Sequence, residues 1–369
     1  MIYMSDNDLL FLLALQNTPK IGDITAKRLI AHCGTPEGVF FESKKNLLKI
    51  DGIGSYTISE LNKNKLLKLA EKELKFISDN NIITLYFQDI DYPERLKHCV
   101  DGPILLFQRG CVSINNQPII SIIGARKNTP QGMANCETIV KTLAPFNPII
   151  VSGFAYGTDI TAQRAALNYE LQTIGCLAHG MDKIYPREHK KYVVDIENHG
   201  GFFTDFWSSS KFDRKNFLKR NRIIAGLSEA TIVIESAEKG GSLVTADIAN
   251  SYNREVFAVP GRITDKQSTG CNNLIKYQKA HLLSKPEDIP YILNWKLETL
   301  VERPQKQLFI DMDIDETLIY NFLESNGKEL LDIIALKCEI PVFRVASILI
   351  QMELKGAVRP LPGKYFEII

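Results

Sequence analysis

The chain has 369 residues, 45% hydrophobic and 24% charged, more than one small core requires and unlike a disordered composition, so two or three folded domains are expected. Its longest apolar runs, such as Ile119-Ile120-Ser121-Ile122-Ile123, fall well short of the roughly 20 residues of a membrane span. The first residues lack a basic stretch with a cleavage signal, so a soluble, cytoplasmic protein with no membrane association is expected.

Seven cysteines, at 33, 99, 111, 136, 176, 271 and 338, form no C-x-x-C pair. They read as reduced core residues, neither a disulfide framework nor a zinc site. A formal net charge of +1 gives no strong overall attraction to nucleic acid, but the charge is uneven along the chain. From Lys211 to Arg222 there are six bases and one acid, and from Leu308 to Glu324 five acids and no base. The first segment suits a polyanion and the second repels one.

In chain order, the first elements predicted are helices around Leu9-Leu10-Phe11-Leu12-Leu13 and Lys27-Arg28-Leu29-Ile30, joined through Ile21-Gly22. A similar hairpin returns at Ile50-Asp51-Gly52-Ile53-Gly54. The spacing of a hydrophobic residue and two glycines between helices resembles a helix-hairpin-helix, whose backbone N–H groups face a phosphate without reading sequence. A small helical bundle with glycine C-caps explains the same pattern. This module is placed at residues 1–66.

A charged helix near 63–80 leads into the middle of the chain. Candidate strands at 119–123, 149–151, 172–176, 231–234 and 256–259 are short and continuously apolar, and helices such as 132–143 and 159–167 separate them. That alternation predicts an α/β domain with a Rossmann-like, doubly wound parallel sheet covered on both faces, over 67–300. The linker Arg303-Pro304-Gln305 opens a last module at 301–369. Helices at 316–323, 329–337 and 342–355 and a hairpin around Pro362-Gly363 make a winged helix. Its third helix carries Arg344, Gln351 and Lys355 among mostly apolar residues, too few base-edge donors for a sequence reader. A protein-contacting or packing role fits it better.

In an open parallel sheet, ligands bind beyond the carboxyl ends of the strands. Three glycine-bearing turns fall there: Ile123-Gly124-Ala125-Arg126, Ser152-Gly153-Phe154-Ala155-Tyr156-Gly157-Thr158-Asp159, and Glu235 through Gly240-Gly241-Ser242 to Ala246. Arg126 can fork onto a phosphate, Thr158 or Asp159 suits a helix N-cap, and the third turn offers free amides to an anion. None is a dinucleotide or Walker motif, and singly each satisfies only a tight strand-to-helix turn. The segment Lys211-Phe212-Asp213-Arg214-Lys215-Asn216-Phe217-Leu218-Lys219-Arg220-Asn221-Arg222 interleaves bases with aromatics. Cations can follow a nucleic-acid backbone while a ring accepts any unpaired base, which suits single strands. The competing reading is a solvated charged face with Phe217 as a core anchor. The six histidines show no metal spacing, and Glu235 suits a helix cap better than an acid or nucleophile. No cofactor and no metal are expected.

These residues resemble the DprA/Smf family of DNA-processing proteins. The motifs stand in order as Ser121 to Arg126, Val151 to Asp159, Asp182-Lys183-Ile184-Tyr185-Pro186, Lys219 to Ser228, Gly241 to Ala246, and Ala258-Val259-Pro260-Gly261. The resemblance implies a non-enzymatic protein that binds single-stranded DNA, forms a homodimer through the Rossmann-like domain, and loads the RecA recombinase on DNA entering during competence and natural transformation. By position it implies that Arg126, Lys219, Arg220 and Arg222 hold phosphates and that Phe217 offers a stacking face. Gly153, Gly241 and Ser242 would shape the pocket, and Asn221 would brace the basic loop. Ala125 departs from the Ser or Thr usual there, removing one hydroxyl contact, and His179 stands at a position usually small.

Two other classes are open. One is a Rossmann-like enzyme of the nucleoside-monophosphate phosphoribohydrolase type, using Glu235 at a strand end. The other is a transcription regulator acting through the winged helix, which the poorly basic third helix argues against.

Overall fold

A computed structural model describes residues 5–114, 117–296, 312–361 and 363–368. Its contacts divide into two compact units, Met1–Trp295 and Lys296–Ile369. The expected linker at 303–305 lies outside the described residues.

In the first unit, β1 (Ile83–Tyr86), β2 (Leu105–Gly110), β3 (Ile119–Ile123), β4 (Ile149–Ser152), β5 (Thr173–Cys176), β6 (Gly200–Thr204), β7 (Ala230–Val233), β8 (Glu255–Ala258) and β9 (His281–Leu282) form one sheet. Its order is β1-β2-β6-β5-β4-β3-β7-β8-β9. From β6 to β9 every pairing is parallel, with β3 central between β4 (Ile119 opposite Ile149) and β7 (Ile120 opposite Ala230). β1 and β2 extend one edge in antiparallel pairing. The sheet is therefore Rossmann-like and largely, not wholly, parallel.

The apolar strands are continuous because both faces are covered. Ile120, Ile122, Ile150 and Ile232 face a layer with Ile139, Val140 and Ala162, whereas Ile119, Ile123, Ile149, Val151 and Val233 face one with Ile223, Ile224 and Ala246. Alternate residues of a strand thus enter opposite cores. Each fully buried isoleucine contributes roughly 1.5–3 kcal/mol from burial.

The N-terminal helices share this unit. Leu12, Leu13, Leu29 and Ile30 pack with Phe154, Leu177 and Phe202, and Ile21 and Ile53 of the two glycine hairpins enter the same core. Trp207 Nε1 donates to Gln16 Oε1 at 2.9 Å, and Glu73 accepts from Ser208 N at 2.7 Å and from Ser208 Oγ at 2.6 Å. The domain boundary expected at residue 66 falls inside the helix Lys63–Asp79. Leu66, Ala70 and Ile77 of that helix join the same core, which fixes it along its length.

The second unit holds helices Ile314–Asn326, Leu331–Lys337 and Val342–Leu354, with β10 (Glu329–Leu330), β11 (Val358–Leu361) and β12 (Tyr365–Ile368) in the order β10-β12-β11. Ile319, Leu323, Ile334, Val345, Leu349 and Met352 form its core. Among the described residues no helix is long and apolar enough to cross a membrane. Of the seven cysteines, which are free, Cys111 is exposed and Cys33 half-buried, so the reading of all seven as core residues is corrected; the other five are buried.

Candidate nucleic-acid interface

The strand order reverses around β3, and the turns after β3, β4 and β7 open there into one cavity of about 650 Å³. This is where an open α/β sheet takes its ligands. The lining includes Arg126, Lys127, Arg214, Arg220 and Lys239 against one acid, Asp159. Five cations facing one carboxylate make a concave surface that attracts anions.

One wall is the helix Arg214–Leu227. Asp213 caps it by accepting from Lys215 N at 2.8 Å, so the basic segment expected as a loop is helical from Arg214 onward. A helical period then sorts the segment by face. Arg214, Phe217, Arg220, Asn221 and Ile224 recur at three- and four-residue spacing and line the cavity. The Arg126 guanidinium lies 5.0 Å from the centroid of the Phe217 ring, a cation–π contact that holds the arginine at the cavity.

Arg220 forms the floor. It is buried, and its Nη1 donates to the Gly153 carbonyl at 2.6 Å and to the Cys176 carbonyl. Gly153 does not line the cavity; it makes room beneath it. A Cβ there would sit 2.4 Å from Asp159 Oδ2 and 2.7 Å from both terminal nitrogens of Arg220. Asp159 also accepts from Ala155 N at 3.3 Å. Burial raises the Asp159 carboxyl and lowers the Arg220 guanidinium, each opposed by the charge of the other. Arg220 thus adds fixed positive charge to the floor of the cavity, with its donors partly committed to carbonyls.

Across the cavity starts the helix Gly241–Ser251. Gly240 caps it without a side chain, leaving its first amides for an anion. A Cβ on Gly241 would meet nothing within 4 Å, so the approach is open. Ser242 Oγ donates to Ser236 Oγ at 2.9 Å, and Asn221 Nδ2 donates to the Gly241 carbonyl at 3.4 Å. Asn221 therefore ties helix to helix instead of bracing a loop. On the remaining side, the helix Thr158–Asn168 is capped by Gly157 with φ of +80°, so neither Thr158 nor Asp159 is the N-cap.

Two of the expected phosphate ligands lie elsewhere. Lys219 and Arg222 point to a second cavity of about 660 Å³ on the other face of the same helix. Its charged lining is Asp23, Asp101, Asp205, Lys219 and Arg222, acidic on balance. Arg222 Nη2 donates to Asp23 Oδ2 at 3.0 Å and to Asp205, and its Nη1 to the Asp101 carbonyl. Arg222 is not brought to the basic cavity, where a phosphate role was expected of it; three of its N–H groups go to two carboxylates and a carbonyl. Lys219 is exposed at the rim of this acidic side. Sequence reading missed Lys127, Tyr156, Arg214 and Lys239, which line the basic cavity. Tyr156, Arg214 and Lys239 stand within the glycine turns and the basic segment, and Lys127 just beyond the first of those turns.

Glu235 caps the helix Pro130–Leu143 together with Thr129. Its carboxylate accepts from Thr129 N at 2.9 Å and Thr129 Oγ1 at 2.5 Å, in space that only Gly132 leaves, since a Cβ there would lie 2.4 Å from the Glu235 Cδ. Among the described residues no group of His, Cys, Asp or Glu is placed to hold a metal ion.

His179 and His189 are buried, with Nδ1 donating to the carbonyls of Gly180 at 2.8 Å and Phe154 at 3.1 Å. Burial lowers both below the ordinary 6.5. The unfolded chain therefore binds these protons first as pH falls, so their contribution to stability is complete above about pH 6.5 and is lost toward the lowered folded values. Stability is expected to hold between pH 8 and 7 and to fall below about 6.5, by up to ~1.4 kcal/mol per pH unit for each histidine, with the melting temperature falling in step. His179→Gln should flatten that decline in a pH series of thermal melts; an unchanged slope would refute the assignment.

A family model described as DNA recombination-mediator protein A matches residues 83–294. The chain belongs to that family. It is 34% identical over 281 residues to Protein Smf of Escherichia coli (strain K12), covering 75% of this chain and 75% of that protein. It is 35% identical over 198 residues to the DNA processing protein DprA of Streptococcus pneumoniae, covering 54% of this chain and 70% of that one. The X-ray structure of the Streptococcus pneumoniae protein aligns over 78% of this chain and 98% of its own, with a TM-score of 0.61 at 26% identity. A structure of DNA processing protein A from Helicobacter pylori, described by its unique single-stranded DNA binding mode, covers 59% of this chain and 97% of its own, with a TM-score of 0.53 at 29% identity.

Proposed function

We propose that this protein binds single-stranded DNA without sequence preference and acts as a recombination mediator, loading RecA on incoming DNA during natural transformation. The observation that carries the reading is the cavity at the strand-order reversal, where five cations face one acid and a helix with no side-chain cap offers its first amides. Such a surface binds a phosphodiester backbone and carries no base-edge code. The similar Helicobacter pylori structure, described by its single-stranded DNA binding mode, supports the same ligand.

Homodimerisation and the RecA partner belong to the proposal through the family resemblance. In the C-terminal unit, which we read as a winged helix, Phe343, Ile350 and Leu354 are exposed on the third helix and Arg344 is paired with Asp315 at 2.6 Å. That face supports protein contact over DNA reading.

Gel shift with an oligothymidine over a salt series tests the reading. Affinity is expected to fall steeply as salt rises, with a blunt duplex binding more weakly. Equal or tighter duplex binding would refute it. The role is non-catalytic: the engagement of the Glu235 carboxylate by Thr129 supports helix capping over acid or nucleophile chemistry. Glu235→Gln is expected to cost about 1–3 kcal/mol of stability and to leave oligothymidine affinity unchanged. Release of free base from nucleoside monophosphates, abolished by Glu235→Gln, would establish an enzyme instead.

A further inference from the structure

The turn after β3 carries two of the five cavity cations, Arg126 and Lys127, both exposed. From Thr129 onward the chain is fixed, because Thr129 caps the helix Pro130–Leu143 and is itself held by Glu235. Between β3 and that cap, residues 124–129 belong to neither helix nor strand. They lean instead on the start of the helix Thr158–Asn168. Gly157 permits the contact, since a Cβ there would lie 2.6 Å from both the carbon and the oxygen of the Arg126 carbonyl. Thr158 N donates to the Ala125 carbonyl at 3.1 Å. The Thr158 side chain, fully buried, spans the turn from below. Its Oγ1 lies 3.4 Å from the Ala125 carbonyl oxygen and 3.1 Å from Asn128 Oδ1, so one hydroxyl faces an acceptor on either side of the two cations.

We propose that Thr158 is a positioning residue for DNA binding, its hydroxyl bridging Ala125 and Asn128 so that Arg126 and Lys127 are set in place before a strand arrives. The inference rests on the single-strand reading above and adds to it a residue too deeply buried to touch DNA. A cation already fixed gives up less conformational freedom on binding than one carried on a loose turn. Phe217 steadies the Arg126 side chain, and Thr158 steadies the backbone from which it projects.

The test is oligothymidine binding by the full chain, followed by fluorescence anisotropy at low salt. Thr158→Val, which trades the hydroxyl for a methyl group, is expected to weaken binding roughly three- to tenfold. Thr158→Ser, which keeps the hydroxyl, should restore most of the affinity. Asn128→Ala removes the same bond from its outer end and should weaken binding by a similar factor, the two changes together costing no more than either alone. In an Arg126→Ala background, Thr158→Val should cost less than about twofold, because the principal cation it positions is gone. A merely structural role would cost the same in both backgrounds. Amide hydrogen exchange at residues 126–128 of the free protein should also quicken in Thr158→Val. A Thr158→Val protein that binds as tightly as the unaltered one overturns the inference, as does an equal loss with and without Arg126. Should Thr158→Val not fold, Asn128→Ala carries the same two comparisons. Absence of binding by the unaltered protein would sink the single-strand reading itself, and this inference with it.

Discussion

Arg126→Ala is expected to weaken oligothymidine binding by about 10- to 100-fold at low salt, the size of a lost charge-assisted contact of about 1.5–3 kcal/mol. Arg126 is exposed, stands on the turn after β3, and is held over Phe217 at the basic cavity. With one phosphate contact removed, the slope of log affinity against log salt should shrink by about 0.7. Lys127→Ala and Lys239→Ala should act in the same direction. Little of the arginine is enclosed, so the melting temperature should move by no more than a degree or two. A salt titration with the substituted and unaltered proteins checks this. Undiminished binding with an unchanged slope would remove the cavity as the DNA site.

Arg222→Met is expected to do the reverse, costing about 3–5 kcal/mol of stability while leaving the affinity of the folded protein within about twofold. The arginine side chain is 12% exposed and joins Asp23 at 3.0 Å and Asp205 across the packed N-terminal helices. Without it two largely buried carboxylates lose their counter-charge, and Asp205 Oδ1 already has no hydrogen-bond partner. Burial raises the Asp23 carboxyl despite the arginine, so its removal should raise it further. Denaturant unfolding measures the loss. A stable Arg222→Met protein with much weaker DNA binding would return this residue to the phosphate site.

These opposite expectations show what the sequence can and cannot carry. The central strands were legible because an unbroken run such as Ile119-Ile120-Ser121-Ile122-Ile123 requires cover on both faces, and the glycine turns after them located the cavity. The strand Gly200–Thr204 was not, since Gly200-Gly201 reads as a turn and only the pairing with β2 and β5 makes it extended. Helix Lys63–Asp79 was legible as a helix, but a boundary at residue 66 cuts it, because the core it shares with Leu12, Leu13 and Phe202 joins segments far apart in the chain. In the basic segment, charge density along the chain was visible and direction was not. Arg220, Asn221 and Arg222 are consecutive, yet a 100° step per residue sends them to the floor of one cavity, a helix–helix tie and an acidic pocket. Counting the intervals from Phe217 separates the first two from the third once the segment is known to be helical.

The Arg222 tether also bears on how this protein should be dissected. A fragment cut at residue 83, where the family match begins, would lack Asp23 and the helices that enclose the guanidinium. Arg222 would then keep its ion pair with Asp205, with Asp101 nearby, and lie uncovered on the face of its helix away from the basic cavity. Such a fragment would exchange an acidic cavity for a neutral one, two aspartates against Lys219 and Arg222, and so lose a repulsion of polyanions that the intact chain has on that side.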